Sequence, residues 1–347
     1  MFTFLCFVFV LGITVFIHEL GHFLFAKKAG IYVYEFSLGM GPRIFKFHRK
    51  NDETDYCIRL FPIGGFVQMA GEEIEIDEEI PEEKRMQSKT WLQRFLTVIA
   101  GVTFNFLLAI FLLFIVGLVN GVSTSKPIIL EVDENYMAST TNLQKGDTIV
   151  KINGKKTSNL DMFLLEMQVN TGKSLDLRVQ HENGEYETIT IEPKEEIVDD
   201  EKTYRYGFYL ESEIEKGFLV SLKYAFEKTL SLINQMFHII GYLITGKLKL
   251  NSLSGPIGIY NVVGETAKTG LINMIYLIAY LCINVGFMNL LPIPALDGFR
   301  AFFLLIEKIK GTPVNPKIEN TINAIGLMGL MVLMVVITWN DILRFIL

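Results

Sequence analysis

The chain has 347 residues, half of them hydrophobic, with five histidines, three cysteines and a formal net charge of −6. A mean hydropathy of +0.35 sits above that of an ordinary soluble domain, and the acidic balance without a basic block excludes nucleic acid as a partner. Cys6, Cys57 and Cys282 lie far apart in the sequence and form no C-x-x-C pair, so neither a disulfide framework nor a thiolate metal site is expected.

The first apolar segment, 1–26, is long enough to cross a bilayer at about 1.5 Å per residue. It has no cationic region in front and no small-residue cleavage site, and so reads as a retained transmembrane helix and not as a signal peptide. Near its end stands Phe16-Ile17-His18-Glu19-Leu20-Gly21-His22-Phe23, which carries H-E-x-x-H. On a helix, positions i and i+4 share one face, so His18 and His22 aim two imidazoles at one point and Glu19 reaches a water bound there. Neutral imidazoles, a carboxylate base and an open coordination position suit zinc. Two histidines and a glutamate by coincidence would be the alternative, but ionisable groups at the end of a membrane-length apolar helix are costly and mark function.

Lys27 and Lys28 close the segment, and 27–90 is rich in cations: Arg43, Lys46, Arg49, Lys50, Arg59, Lys84, Arg85 and Lys89. The positive-inside rule makes this loop cytoplasmic, puts the N-terminus outside, and places the zinc motif within the membrane near its cytoplasmic face. Inside the loop, 56–69 is short-period and apolar and is split by Pro62-Ile63-Gly64-Gly65, which reads as two short strands around a turn. Two settings stand: a small soluble hairpin, or a membrane re-entrant hairpin whose open edge pairs with an extended substrate. The acidic run 72–85 reads as a solvated linker. A second span, 91–120, is anchored by Trp91 and Arg94 and interrupted by Gly101 and Asn105. An Asn inside a bilayer needs a partner, either a neighbouring helix or a reacting group.

Residues 123–195 alternate as strands do, through Leu175, Leu177 and Val179 and through Ile189 and Ile191, with turns at Asn153-Gly154 and Asn183-Gly184. The run 145–154 (KGDTIVKING) resembles the strand-turn of PDZ domains, and a helix over 160–170 fits that plan. One PDZ-like α+β domain is thus expected on the extracytoplasmic side, either taking a peptide ligand by strand addition or acting as a steric filter. Over 216–258 the apolar residues Leu222, Phe226, Leu230, Ile233, Phe237, Ile240 and Ile244 make an amphipathic helix, with Lys223, Glu227 and Lys228 off the stripe. It either lies on the membrane surface or docks on the PDZ-like domain; His238, beside the stripe and without a partner motif, reads as structural, and 252–258 as a break.

A third span, 271–298, ends in Asn289-Leu-Leu-Pro-Ile-Pro-Ala-Leu-Asp297-Gly298, where prolines 292 and 294 stop a regular helix. An unpaired carboxylate there would be expensive, and a zinc with two histidines lacks a third protein ligand, which Asp297 supplies; Gly298 would allow a tight turn. Lys308, Lys310 and Lys317 mark a second cytoplasmic loop, 299–320, and a last span, 321–347, returns the C-terminus outside. The expected fold is a polytopic α-helical membrane protein with four transmembrane helices, a re-entrant β-hairpin and one inserted PDZ-like domain.

These residues match a family. The chain resembles bacterial site-2-protease-type intramembrane zinc metalloproteases, in the RseP/RasP group that carries a PDZ domain. The resemblance is carried by HELGHFLFAKKAGIYVYEFSLG (18–39), RLFPIGGFVQM (59–69), AGVTFN (100–105) and NLLPIPALDG (289–298), and covers nearly the whole chain. It implies Zn2+ held by His18, His22 and Asp297 with Glu19 as general base, and substrate contacts from the hairpin (Gly64, Gly65 and Phe66) and from Asn105 and Asn289. It implies a bacterial cell membrane location and cleavage of transmembrane substrates, anti-sigma factors and remnant signal peptides, already trimmed by another protease. The family's second-span motif often has proline after its glycine, where Val102 stands here, and some members carry two PDZ domains where only one fits here. A transporter would more usually show internal repeats, which are not evident, and a non-catalytic zinc scaffold would have no need of Glu19.

Overall fold

A computed structural model describes residues 1–50, 52–72, 79–123, 126–157, 159–198, 201–210, 214–312 and 314–345; the middle of the acidic run, 73–78, lies outside them. The helices are α1 (Phe2–Lys28), α2 (Trp91–Asn120), α3 (Leu160–Val169), α4 (Phe218–Ile244), α5 (Pro256–Thr269), α6 (Leu271–Leu290), α7 (Asp297–Lys310) and α8 (Pro316–Phe345). The strands are β1 (Val33–His48), β2 (Asp55–Met69), β3 (Val122–Ser123), β4 (Ile129–Val132), β5 (Thr148–Ile152), β6 (Lys155–Lys156), β7 (Leu175–Gln180), β8 (Tyr186–Ile191), β9 (Lys194–Val198), β10 (Glu201–Arg205), β11 (Phe208–Leu210) and β12 (Ile214–Glu215). Two compact units result, one from Met1–Leu113 with Leu250–Leu347 and one from Phe114–Lys249.

In the first unit, α1, α2, α6 and most of α8 are long and apolar enough to cross a membrane. Gly30, at φ +69°, takes the left-handed position that ends α1, and Ile31 N–H returns to the Ala26 carbonyl at 2.9 Å. The apolar helix of the third span, α6, stops at Leu290, because Pro292 and Pro294 cannot continue it, and Asp297 opens α7. The segment 299–320, expected as a loop, therefore holds most of α7, and α8 starts earlier than expected, at Pro316. The expected break at 252–258 leads into α5, whose 14 residues span about 21 Å, too short to cross. Phe7 of α1 meets Tyr260 of α5 edge to face at 5.5 Å.

The hairpin also differs from expectation. The two halves of 56–69 do not pair with each other; they form one long bent strand, β2, paired with β1. Residues 33–38 face 65–69 with opposed numbering and face 55–58 with numbering that rises in step, so Phe36 lies opposite both Val67 and Tyr56. Residues 43–48 then face 55–59. The bends fall at glycines in left-handed conformations, Gly39 at φ +86°, Gly41 at +84° and Gly64 at +81°. Met40, Ile44, Phe45, Phe47, Leu60 and Phe61 are exposed there.

In the second unit, β6-β5-β7-β8 form a four-stranded sheet. Leu175, Leu177, Val179, Ile189 and Ile191 all point into its core, as the alternation requires. Asn153 (φ 48°) and Gly154 (φ 78°) make the tight turn into β6. The folded unit runs past residue 195: Tyr206 and Phe208 join the same core, and β11 pairs with β4. α4 docks on α3, with Met162, Leu165 and Tyr242 in one cluster and Asp161 accepting from Lys228 (2.5 Å) and Ser231 (2.6 Å). The buried face of α4 carries the small residues Ser221, Ala225 and Thr229, while Leu222, Phe226, Leu230, Phe237 and Ile244 of the apolar stripe stay exposed. His238 bonds the Asn234 carbonyl of its own helix at 2.9 Å.

Candidate metal centre

α1 brings His18 and His22 onto one face, both buried, with their Nε2 atoms 3.3 Å apart. Asp297, in the first turn of α7, places Oδ2 3.1 Å from each Nε2. Three donors on a triangle of 3.1–3.3 Å edges match a tetrahedral zinc, whose ligands at about 2.0 Å are about 3.3 Å apart. No other group of three metal-binding side chains gathers among the described residues. The fourth direction of such a tetrahedron is left to a non-protein ligand.

The imidazoles are held from behind. The Thr97 carbonyl of α2 accepts a hydrogen bond from His22 Nδ1–H at 2.8 Å, which leaves Nε2 free to ligate. His18 Nδ1 lies 3.4 Å from the Asn105 side-chain nitrogen, while Asn105 Oδ1 is buried without a partner. With Nε2 facing the metal, Nδ1 carries a proton, and exchanging the two ends of the amide lets Oδ1 accept it. The partner that an Asn inside the span requires is therefore an imidazole of the site.

Three glycines let the elements close on this point. A Cβ on Gly21 would lie 2.5 Å from the Ala100 carbonyl oxygen, so α1 and α2 touch backbone to backbone. A Cβ on Gly101 would lie 2.3 Å from His22 Nε2 and 2.8 Å from His18 Cε1. A Cβ on Gly298 would lie 2.3 Å from the carbonyl oxygens of both Leu290 and Leu291. Gly298 does not have a positive φ; it serves by close packing against the end of α6, and not by the tight turn its sequence suggests. The roles of Gly21 and Thr97 are invisible in the sequence.

Glu19 is half-buried beside the triangle, and the Val67 backbone hydrogen-bonds its carboxylate. Gly65 comes so close that its Cβ would sit 3.2 Å from Glu19 Cγ. Residues 65–69 of β2 thus run past Glu19. Gly64 shapes the bend, and Phe66 lies under the Arg59 guanidinium at 4.9 Å. Asn289 is half-buried in the last turn of α6 and has no hydrogen bond to the cluster. On its far side α7 is fixed to α2: Trp91 Nε1 donates to the Leu304 carbonyl at 2.6 Å, and Arg94 pairs with Glu307.

A His-His-Asp cluster with an adjoining carboxylate, set on apolar helices of membrane length, defines a membrane-embedded metallohydrolase. The profile of Peptidase family M50 matches residues 6–333, and the chain belongs to that family. It is 35% identical to the regulator of sigma-W protease RasP of Bacillus subtilis, the match covering 99% of both chains. It is 34% identical to the zinc metalloprotease RasP of Bacillus licheniformis (99% of this chain, 100% of the relative). To the zinc metalloprotease RasP of Geobacillus kaustophilus it is 33% identical, over 98% of both. The chain is a zinc metalloprotease of the site-2 type.

Proposed function

We propose that His18, His22 and Asp297 hold the zinc, that Glu19 is the general base, and that the enzyme cuts transmembrane segments of membrane proteins. The observation that carries this reading is the donor triangle of 3.1–3.3 Å edges with Glu19 at its side. Zinc bound there supplies Lewis acidity to the scissile carbonyl and makes a water acidic near neutral pH. Glu19 takes the proton from the attacking water and returns it to the departing amine, so it ends the cycle unprotonated. The Thr97 carbonyl and Asn105 keep both imidazoles in the ligating tautomer throughout.

A substrate helix hides its carbonyls in i→i+4 bonds and must unwind to meet Glu19. The edge at 65–69, with Gly65, Phe66 and the bend at Gly64, is where the freed strand pairs, and we assign Asn289 a contact with the same substrate. We assign substrates of the anti-sigma-factor and remnant-signal-peptide type, trimmed beforehand by another protease; one relative is named as a regulator of sigma-W protease. The setting is the bacterial cell membrane, with both termini extracytoplasmic, in keeping with the cations of 27–90. The PDZ-like unit then screens substrates from outside, by binding a peptide or by bulk. Substrates with helix-weakening residues near the cut are cleaved faster; changing those residues to Leu slows cleavage of a tagged transmembrane peptide by about tenfold or more, and an unchanged rate overturns the unwinding step.

The test is cleavage and zinc content side by side in purified wild type, Glu19→Gln and His22→Ala. Glu19→Gln is expected to keep its zinc and lose about 10²–10⁴ of the rate, and His22→Ala to lose both. Zinc retained in His22→Ala overturns the ligand assignment, and cleavage retained in Glu19→Gln overturns the base.

A further inference from the structure

The second unit holds a hollow that the peptidase chemistry does not use. Lys155, Phe237, His238, Gly241, Tyr242, Thr245 and Lys247 line a shallow, half-open space of about 320 Å³. Its two cations are put there by backbone design. Lys155 opens β6 immediately after the Asn153-Gly154 turn, and its Nζ stands 5.4 Å from the centre of the Tyr242 ring. Gly246, at φ +70°, reverses the chain at the end of α4, so that Leu248 N–H reaches the Tyr242 carbonyl at 3.1 Å. That reversal brings Lys247 Nζ to 5.6 Å from the same ring. Among the described residues no carboxylate lines the hollow. The buried Glu166 is occupied by the Tyr242 hydroxyl, which donates to it and fixes the ring. The interior is apolar, from Phe237, Gly241 and the faces of Tyr242, and the rim is cationic.

The hollow is continuous with the exposed stripe of α4, to which Phe237 and Ile244 belong. The start of that stripe is fixed to the end of α2: Phe218 packs edge to face on Phe114 at 5.2 Å, and Gly117 abuts Ser221. An apolar stripe of about 33 Å from Leu222 to Ile244, ending at two lysines, matches a bilayer surface with one phosphate at its far end.

We propose that this hollow is a binding site for the headgroup of an anionic phospholipid, with the phosphate between Lys155 and Lys247 and the upper acyl chain along Phe237 and Ile244. The site seats the sheet unit on the lipid surface through α4. It rests on the chain's residence in the bilayer and not on the zinc chemistry.

The test uses the full chain in neutral detergent, with native mass spectrometry reading bound lipid after mixing with equal amounts of dihexanoyl phosphatidylglycerol and dihexanoyl phosphatidylcholine. Wild type should retain the glycerol lipid preferentially. Lys155→Gln/Lys247→Gln should reduce that retention about tenfold, whereas Lys223→Gln, which removes a charge from an exposed position on α4, should leave it unchanged. Each single Lys→Gln variant should give about threefold, which keeps the test open if the double variant unfolds. Equal retention by wild type and the Lys155/Lys247 variants overturns the site, as does equal binding of the two lipids. Displacement by inorganic phosphate at the same concentration would make it a small-anion site. Displacement by less of a hydrophobic peptide with a free carboxylate would make it a peptide-terminus site; either overturns the lipid assignment. Zinc content in the same samples reports separately on the peptidase site.

Discussion

One methyl group at Gly101 is enough to contest the metal centre. Its Cβ would stand 2.3 Å from His22 Nε2, against the atom proposed as ligand, with the Gly21 and Ala100 backbones already touching alongside. Gly101→Ala is therefore expected to lower bound zinc at least tenfold by elemental analysis, and Gly298→Ala to do the same by pushing Asp297 off the end of α6. Gly12→Ala on the same α1 helix, where the added atom meets nothing within 4 Å, should keep its metal. Full zinc in Gly101→Ala would show that α1 and α2 part without cost. These residues also mark what sequence reasoning reaches. That His18, Glu19, His22 and Asp297 come together is legible because each carries a chemical demand that few partners satisfy. Gly21 and Gly298 are not, because Gly21 makes room for a backbone far away in sequence, and Gly298 for one beyond a proline-broken loop, and a glycine announces freedom without saying whether it is used for a turn or for space.

At the element scale the hairpin shows the same limit in another form. The apolar character of 56–69 and its glycine break are plain in the sequence, but the partner is not, since two strands with alternating apolar residues pair equally well on paper with each other or with 33–48. What settles the pairing is an anchor at the foot of the hairpin. Lys27, in the last turn of α1, reaches Asp52 Oδ1 and Glu53 Oε1, each at 2.7 Å, and Tyr56 donates to Asp52 Oδ2 at 2.8 Å. Burial alone would raise the Asp52 carboxyl, yet Lys27, the Tyr56 hydroxyl and the Thr54 N–H outweigh it and hold the group at about 2. Glu53 is lowered as well. A carboxyl depressed in the folded state contributes stability above its ordinary value of about 3.9 and loses it as pH falls through the folded value. Thermal unfolding midpoints should therefore drop as pH falls from about 4 towards 2, and Lys27→Gln should flatten that slope. An identical slope in both proteins would mean that the anchor does not form in solution.

Across the whole molecule α8 is the least buried span, and it acts through a few fixed points. Asn323 Oδ1 accepts from Ala295 N–H at 3.0 Å, and Gly326 leaves room for Pro294. Ala295 sits at φ +74°, a left-handed conformation that costs a non-glycine residue roughly 1–2 kcal/mol, and Asn323 holds it two residues before Asp297. Further along, the buried Asp341 accepts from Gly255 and Gly258 at 3.2 and 2.8 Å, so its charge meets the positive end of α5. The two fixings predict different phenotypes. Asn323→Ala releases the strained loop that presents Asp297, and should weaken zinc binding by about tenfold while barely moving the unfolding midpoint. Asp341→Asn keeps the shape but removes the charge and turns an amide donor towards the helix N–H groups, costing about 1–3 kcal/mol. It should lower the unfolding midpoint by several degrees while zinc stays bound below it. Zinc loss in Asp341→Asn at low temperature would instead mean that α5 and the metal centre answer to one cooperative element, with α8 as the link between them.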